Sequence, residues 1–228
     1  MTKPIVVAID GPAGAGKSTI ARRVAAKLDY LYIDTGAMYR AVALWALRLG
    51  VDFADTPRLE QLAIAADIEF RDTSTRVLLN DEDVTEAIRT PELADAASRV
   101  STVASVRRAL VDKQRRMALS SSVVMEGRDI GSVVFPDAQV KIFLDADSSE
   151  RASRRLLEMA EKGQSAAPAE VARQIAERDH RDRSRAEAPL LQAPDALYLD
   201  STGLTIDQVE QAVLQLVRAR TSNGTPHA

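Results

Sequence analysis

Residues 9–19 read IDGPAGAGKST. Glycine weakens regular structure because it loses the most backbone freedom on ordering. Here Gly11, Gly14 and Gly16 stand between two ordered-looking runs. Residues 5–9, IVVAI, form a continuous apolar run, the pattern of a buried parallel strand. From residue 18 to 28, Ile20, Val24 and Leu28 recur at i, i+4 and i+8, the stripe of a helix. Between them Gly11, Pro12, Ala13, Gly14, Ala15, Gly16, Lys17 and Ser18 fit G-x-x-x-x-G-K-[ST], the phosphate-binding loop. Its glycines let backbone N–H groups turn inward around an anion, and the helix adds its positive end. Lys17 supplies charge for the β- and γ-phosphates, and Ser18 an oxygen for Mg²⁺. The loop implies a nucleoside triphosphate; switches, motors and kinases all use it.

The rest of the 228-residue chain narrows the class. Apolar residues make up 46%, enough for a sizeable core, and aromatics only 4%, so that core is mostly Ala, Val, Leu and Ile. A net charge of −3 argues against a bulk nucleic-acid binder. With no cysteine, disulfides and thiolate metal sites are excluded. Asp10 and the glycines interrupt the first apolar run too early for a signal peptide, and no run approaches a membrane span. A soluble cytoplasmic protein is expected.

Further buried-strand candidates lie at 30–33, 123–125, 141–144 and 196–199. Helical patterns occupy 34–50, 90 to about 119 with a break near 101–105, 148–162, 168 to about 185, and 205–220. A β-rich patch at 67–71 and 75–79, a turn at 80–83 and a strand beginning at Val84 interrupt this alternation. The order predicts a five-stranded parallel sheet wrapped by helices, an α/β P-loop core. The core is expected over 1–50, 120–147 and 190–220. A β-rich insertion covers 51–119, a helical lid 148–189 and a disordered tail 221–228.

The arginines bear on what the triphosphate is for. Arg40 lies opposite the apolar stripe of its helix, just after a strand end, where α/β ligands bind. Arg128 and Asp129 are flanked by glycines after another strand. In ERDHRDRSR, 177–185, Arg178, Asp182 and Arg185 continue the apolar stripe of Val171 and Ile175. A cationic stripe aimed inward must meet an anion. Arg151, Arg154 and Arg155 add charge on the preceding helix, across a Gly/Ser/Pro loop. Phosphoryl transfer between two anionic substrates needs this set: arginines offset the repulsion and a closing lid excludes water. A GTPase switch would want an Asn-Lys-x-Asp motif, and the chain has no Asn-Lys pair.

At these residues the sequence resembles the bacterial cytidylate kinases. The matching pieces are IDGPAGAGKST, DTGAMYRAVA (34–43), IRTPE (88–92), EGRDIGSVVFPDAQVKIFLDA (126–146) and ERDHRDRSRAEAPL (177–190). The resemblance implies that Gly11 through Thr19 bind ATP phosphates, with Mg²⁺ as cofactor at Ser18. It implies that Thr35 and Asp182 hydrogen-bond cytosine and that Ser98 supports the base site. Arg40, Arg128 and Arg107 would grip the phosphate of CMP or dCMP, and Asp129 and Arg178 the sugar. Arg151, Arg155, Arg181 and Arg185 would belong to the lid and hold the transferring phosphoryl, with Lys17, Arg128, Arg181 and Arg185 catalytic. The β-rich patch would be the family's enlarged monophosphate-binding domain. A monomer, with neither nucleic acid polymer nor membrane as partner, is the expected form. Thr35 stands where serine is common, and Glu126 where aspartate is often found. Asp145 is open between a place near the Mg²⁺ water shell and a purely structural strand end. The rival substrate is UMP or another small metabolite.

Overall fold

The computed structural model describes residues 4–71, 76–161 and 163–222. Its centre is a sheet of β1 (Val6–Asp10), β2 (Leu31–Asp34), β6 (Val123–Gly127), β7 (Val140–Asp145) and β8 (Leu197–Asp200), in the order β2-β6-β1-β7-β8. All four pairings are parallel. Every residue of β1 and β6 is buried, which is why these strands read as unbroken apolar runs. Side chains still alternate between faces. Val7 and Ile9 pack with Ile20 and Val24 of α1 (Lys17–Leu28) and Val213 of α8 (Ile206–Ser222). Val6 and Ala8 pack on the other face with Ile33, Met125, Val111 and Ile130.

A second core joins α2 (Thr35–Arg48) to the insertion. Met38, Val42 and Ala46 meet Leu59 and Leu62 of α3 (Thr56–Ala65), Val100 of α4 (Pro91–Val100) and Leu110 of α5 (Ala104–Met117). The insertion also holds an antiparallel sheet of β3 (Ile68–Arg71), β4 (Arg76–Leu79) and β5 (Glu82–Asp83). The break between α4 and α5 falls at 101–103, as the sequence suggests. The last pair of helices before β8, α6 (Ser148–Glu161) and α7 (Pro168–Ser184), forms a hairpin with its own small core of Ala152, Val171 and Ile175.

Four details differ from the sequence reading. Residues 56–65 are helical: Asp55 caps α3 by accepting from Arg58 N at 3.1 Å, and Pro57 sits in the first turn. The hairpin turn at 80–83 is only two residues long. Asn80 and Asp81 take φ of 50° and 66°, so the strand resumes at Glu82, and Val84 lies just beyond it. Ile130–Val134 is a π-helical turn. Helix α8 runs through Thr221 and Ser222. Residues 223–228 of the expected tail, Thr75 and Lys162 lie outside the described residues.

Candidate active site

The phosphate loop leaves β1 at the centre of the sheet. A Cβ on Gly11 would stand 1.9 Å from the Leu144 carbonyl oxygen, so only glycine lets the loop cross β7 there. Gly16, in the left-handed region at φ 86°, caps α1. Lys17 is buried and curls back, its Nζ donating to the Pro12 carbonyl at 2.6 Å. Burial, then the charge of Arg128, pushes its pKa down to about 7. Ser18 and Thr19 are exposed at the mouth, with the Ser18 hydroxyl close to the Glu126 carboxylate.

The acceptor side lies across β6. Asp34 caps α2 by accepting from Ala37 N at 3.0 Å and pairs with Arg40 at 2.8 Å. Burial alone would raise the Asp34 carboxyl, but Arg40 and the cap bond hold it below its ordinary value. The Thr35 hydroxyl donates to the Glu126 carbonyl at 2.7 Å. Arg107 pairs with buried Asp129 and lies over the Tyr39 ring, 5.6 Å from its centre. Arg128 Nε donates to Asp182 of α7 at 2.8 Å, tying the hairpin to the sheet. Burial would raise Asp182, yet Arg128 and Arg178 outweigh it and keep the carboxyl ionised. Arg178 is pushed down to about 10 by burial and by Arg128. Arg185 is lowered by burial and by Arg107.

Lys17, Arg40, Arg107, Arg128, Arg155, Arg178 and Arg185 are thus linked by mutual electrostatic influence, with Asp182 among them. The Nε atoms of Arg40, Arg178 and Arg185 and the Ser98 hydroxyl are buried without a hydrogen-bond partner, so donors remain for a further anion. Two sequence candidates stand apart. Arg151 is buried against the loop itself, donating to Ala13 O at 2.9 Å, Ala146 O at 3.0 Å and Asp179 at 2.6 Å. Arg181 pairs with Asp95 of α4 at 2.8 Å, on the seam between hairpin and insertion.

Sequence reasoning assigned no role to Asp10, Asp34, Asp179, Tyr32 or Tyr39. Tyr32 donates to the Glu126 carboxylate, which burial drives above its ordinary pKa. One signal was available: β1, β2, β7 and β8 all end in aspartate, and Glu126 stands one residue before the end of β6. Asp145 accepts from Ala146 N at 2.8 Å and lies 3.8 Å from Arg151.

A family model described as cytidylate kinase matches residues 7–219. The chain belongs to the cytidylate kinase family. A cytidylate kinase of Solibacter usitatus is 58% identical over 97% of this chain and 96% of its own length. One of Citrifermentans bemidjiense is 48% identical over 96% and 95%. Among solved structures, a putative kinase from Chloroflexus aurantiacus matches at TM-score 0.51 and 16% identity, covering 99% of this chain and 100% of that one. An uncharacterized protein from Eubacterium ventriosum matches at 0.55 and 14%, over 95% and 99%. At such identity these two show the shared fold alone. Membership makes the chain a phosphotransferase of the cytidylate kinase kind. No described helix is long and apolar enough to cross a membrane.

The oxygens at the loop mouth suit Mg²⁺. This cation keeps several waters and takes one or two protein oxygens plus substrate phosphates, not a protein cage. The Ser18 hydroxyl beside the Glu126 carboxylate offers that donor set. Among the described residues no group of three acidic, His or Cys side chains forms a cage.

Proposed function

We propose that this family member transfers the γ-phosphoryl group of ATP to the phosphate of CMP or dCMP, giving ADP and the diphosphate. The observation that carries the reading is Asp182, an ionised carboxylate set among Arg128, Arg178 and Arg185 on the face of α7 that meets the sheet. Cytosine differs from uracil at C4, which bears an amino donor in place of a carbonyl acceptor. Asp182 can only accept. Thr35 donates its one hydroxyl proton to Glu126 O, so toward a ligand it too can only accept. Two acceptors favour the amino group and repel the carbonyl.

Lys17 and the loop N–H groups bind the ATP phosphates. Arg40, Arg107 and Arg128 hold the acceptor phosphate, Asp129 and Arg178 meet the sugar, and Ser98 supports the base. Arg155, Arg181 and Arg185 meet the transferring group, and Arg151 braces the loop through Ala13 O. Ser18, with Glu126 alongside, would hold Mg²⁺, which supplies charge neutralisation across the donor phosphates. No protein nucleophile is needed, because the acceptor oxygen is already anionic. Catalysis is positioning and charge stabilisation in a site that excludes water. The site draws all of these groups from one chain, which supports a monomer as the working unit. Nucleotides as substrates support a cytoplasmic location.

A coupled ADP-release assay over CMP, dCMP, UMP and AMP tests the reading. Asp182→Ala should raise KM for CMP and narrow the CMP/UMP preference, because a site built for a donor rejects its analogue by leaving a buried acceptor unpaired. Arg40→Ala should weaken CMP and UMP about equally. A proportional loss on both substrates in Asp182→Ala would remove that residue from base recognition.

A further inference from the structure

Asp10 is the last residue of β1 and directly precedes the phosphate loop. It is buried, 5% exposed, between β6 and β7, in register with Gly127 and Phe143. Its carboxylate makes no ion pair within salt-bridge distance among the described residues. Both oxygens instead accept backbone bonds: Oδ1 from Ile130 N at 2.8 Å and Oδ2 from Gly131 N at 2.7 Å. These N–H groups open the π-helical turn that immediately follows Arg128 and Asp129. A Cβ on Gly131 would lie at an ordinary 3.4 Å from Oδ2 and at a tighter 3.2 Å from the Lys141 side chain.

The geometry points to Asp10 as a positioning residue for the acceptor nucleotide: its two oxygens fix the backbone that carries Arg128 and Asp129. The contact joins residues 120 positions apart and links the strand that launches the donor loop to the segment that holds the acceptor. Asp129 in turn anchors Arg107, and Arg128 anchors Asp182, so four of the acceptor-side groups depend on where this segment lies. A carboxylate is a costly group to bury, and burial raises the Asp10 pKa to about 6 despite both N–H bonds and the charge of Lys17. A carboxylate gives each N–H its own acceptor oxygen, which a smaller hydroxyl residue cannot do. The bonds reach the acceptor segment alone, so losing them should disturb CMP far more than ATP.

This inference rests on the reading that Arg128 and Asp129 bind the acceptor. Asp10→Asn keeps one acceptor oxygen and sets its amide donor against the second N–H. Loss of such a supporting partner should raise KM for CMP by about 10-fold or more while KM for ATP stays within about 2-fold. Asp10→Ala should exceed it, and a merely structural defect would move both constants together with Tm. Equal rises in both constants, or no rise for CMP, would overturn the inference. Arg128→Ala is the control. If it raises KM for CMP and Asp10→Asn does not, the acceptor site stands and the role of Asp10 falls. If Arg128→Ala leaves KM for CMP unchanged, the acceptor reading itself falls. Should the variants fail to fold, NMR hydrogen exchange on the native, ligand-free protein decides: the Ile130 and Gly131 amides should exchange as slowly as those of β1, and loop-like exchange there would overturn the proposal.

Discussion

Lys17 has an unusual place for a lysine: buried, held to a carbonyl, and close to Arg128 and Arg178. Water cannot solvate the ammonium there and the neighbouring charges repel it, so its proton is held weakly, with a pKa of about 7. A bound triphosphate reverses both effects by placing anionic oxygens around Nζ. Binding at pH 8 should therefore take up a substantial fraction of a proton, the difference between a lysine partly neutral in the free protein and charged in the complex. Calorimetry in two buffers of different ionisation enthalpy reads this directly. Lys17→Met should abolish the uptake and lower kcat by at least ~100-fold, the usual scale for losing an electrostatic group at a transferring phosphoryl. Uptake that persists in a folded Lys17→Met variant would assign the proton elsewhere. The same pKa has a consequence for folding. A lysine with a depressed folded pKa binds fewer protons folded than unfolded between about 7 and its ordinary value, so its contribution makes the protein more stable as pH rises through that window.

The α6–α7 hairpin owes its placement more to charge than to apolar packing. Its own core is three buried residues, tied within the hairpin by Asp179–Arg151, and it meets the rest of the molecule through Asp182–Arg128, Arg151–Ala13 O and Arg181–Asp95. An element with so few apolar contacts opens at low free energy. Both nucleotides would add anions facing its arginines, so hydrogen exchange over 148–184 should slow when a bisubstrate analogue binds; unchanged exchange contradicts a closing lid. The outer pair separates latch from chemistry. It is exposed, and such pairs contribute only about 0–1 kcal/mol. Asp95→Ala should leave kcat within ~3-fold, whereas Arg181→Ala should lower it by ~10-fold or more if its guanidinium meets the phosphoryl group. Equal effects would make Arg181 a latch only. The hairpin also shows what the sequence could reveal. The stripe Val171, Ile175, Arg178, Asp182 and Arg185 was legible because helix periodicity is local. Asp179, one residue from that stripe, was not, because its partner Arg151 belongs to another helix. β1, β6 and β7 were legible as apolar runs because both faces of the sheet are covered there, whereas β8 at the edge is largely exposed. Helix α3 was overlooked although Asp55, Pro57 and the Leu59/Leu62/Ala63 stripe mark it. The π-helical turn at 130–134 could not be read locally, since the carboxylate that holds its first N–H groups comes from β1.

The chain is net acidic at −3, yet gathers seven cations around the ends of β1, β2 and β6, against Asp34, Glu126, Asp129 and Asp182. Positive charge is therefore concentrated in the cleft and diluted elsewhere, which focuses the field on phosphate and away from polymers with extended charge. The depressed Lys17, Arg178 and Arg185 owe that shift first to burial and then to repulsion from neighbouring cations. A ligand that brings a phosphate relieves that repulsion; one that brings only a base and sugar does not. Ligand binding to the folded state alone adds about 2.7 kcal/mol at 100 times Kd. For a chain of this size each kcal/mol raises Tm by about 2–4 °C, so CMP at that level should raise it by about 5–10 °C. Cytidine at the same concentration should move Tm by less than ~1 °C, since it brings no phosphate to Arg40, Arg107 and Arg128. Inorganic phosphate should give a small rise that CMP does not add to, because the two compete for those arginines. Differential scanning calorimetry with the three ligands decides the matter. Equal shifts for cytidine and CMP would mean that base and sugar contacts dominate binding and that the cationic cluster serves the donor side alone.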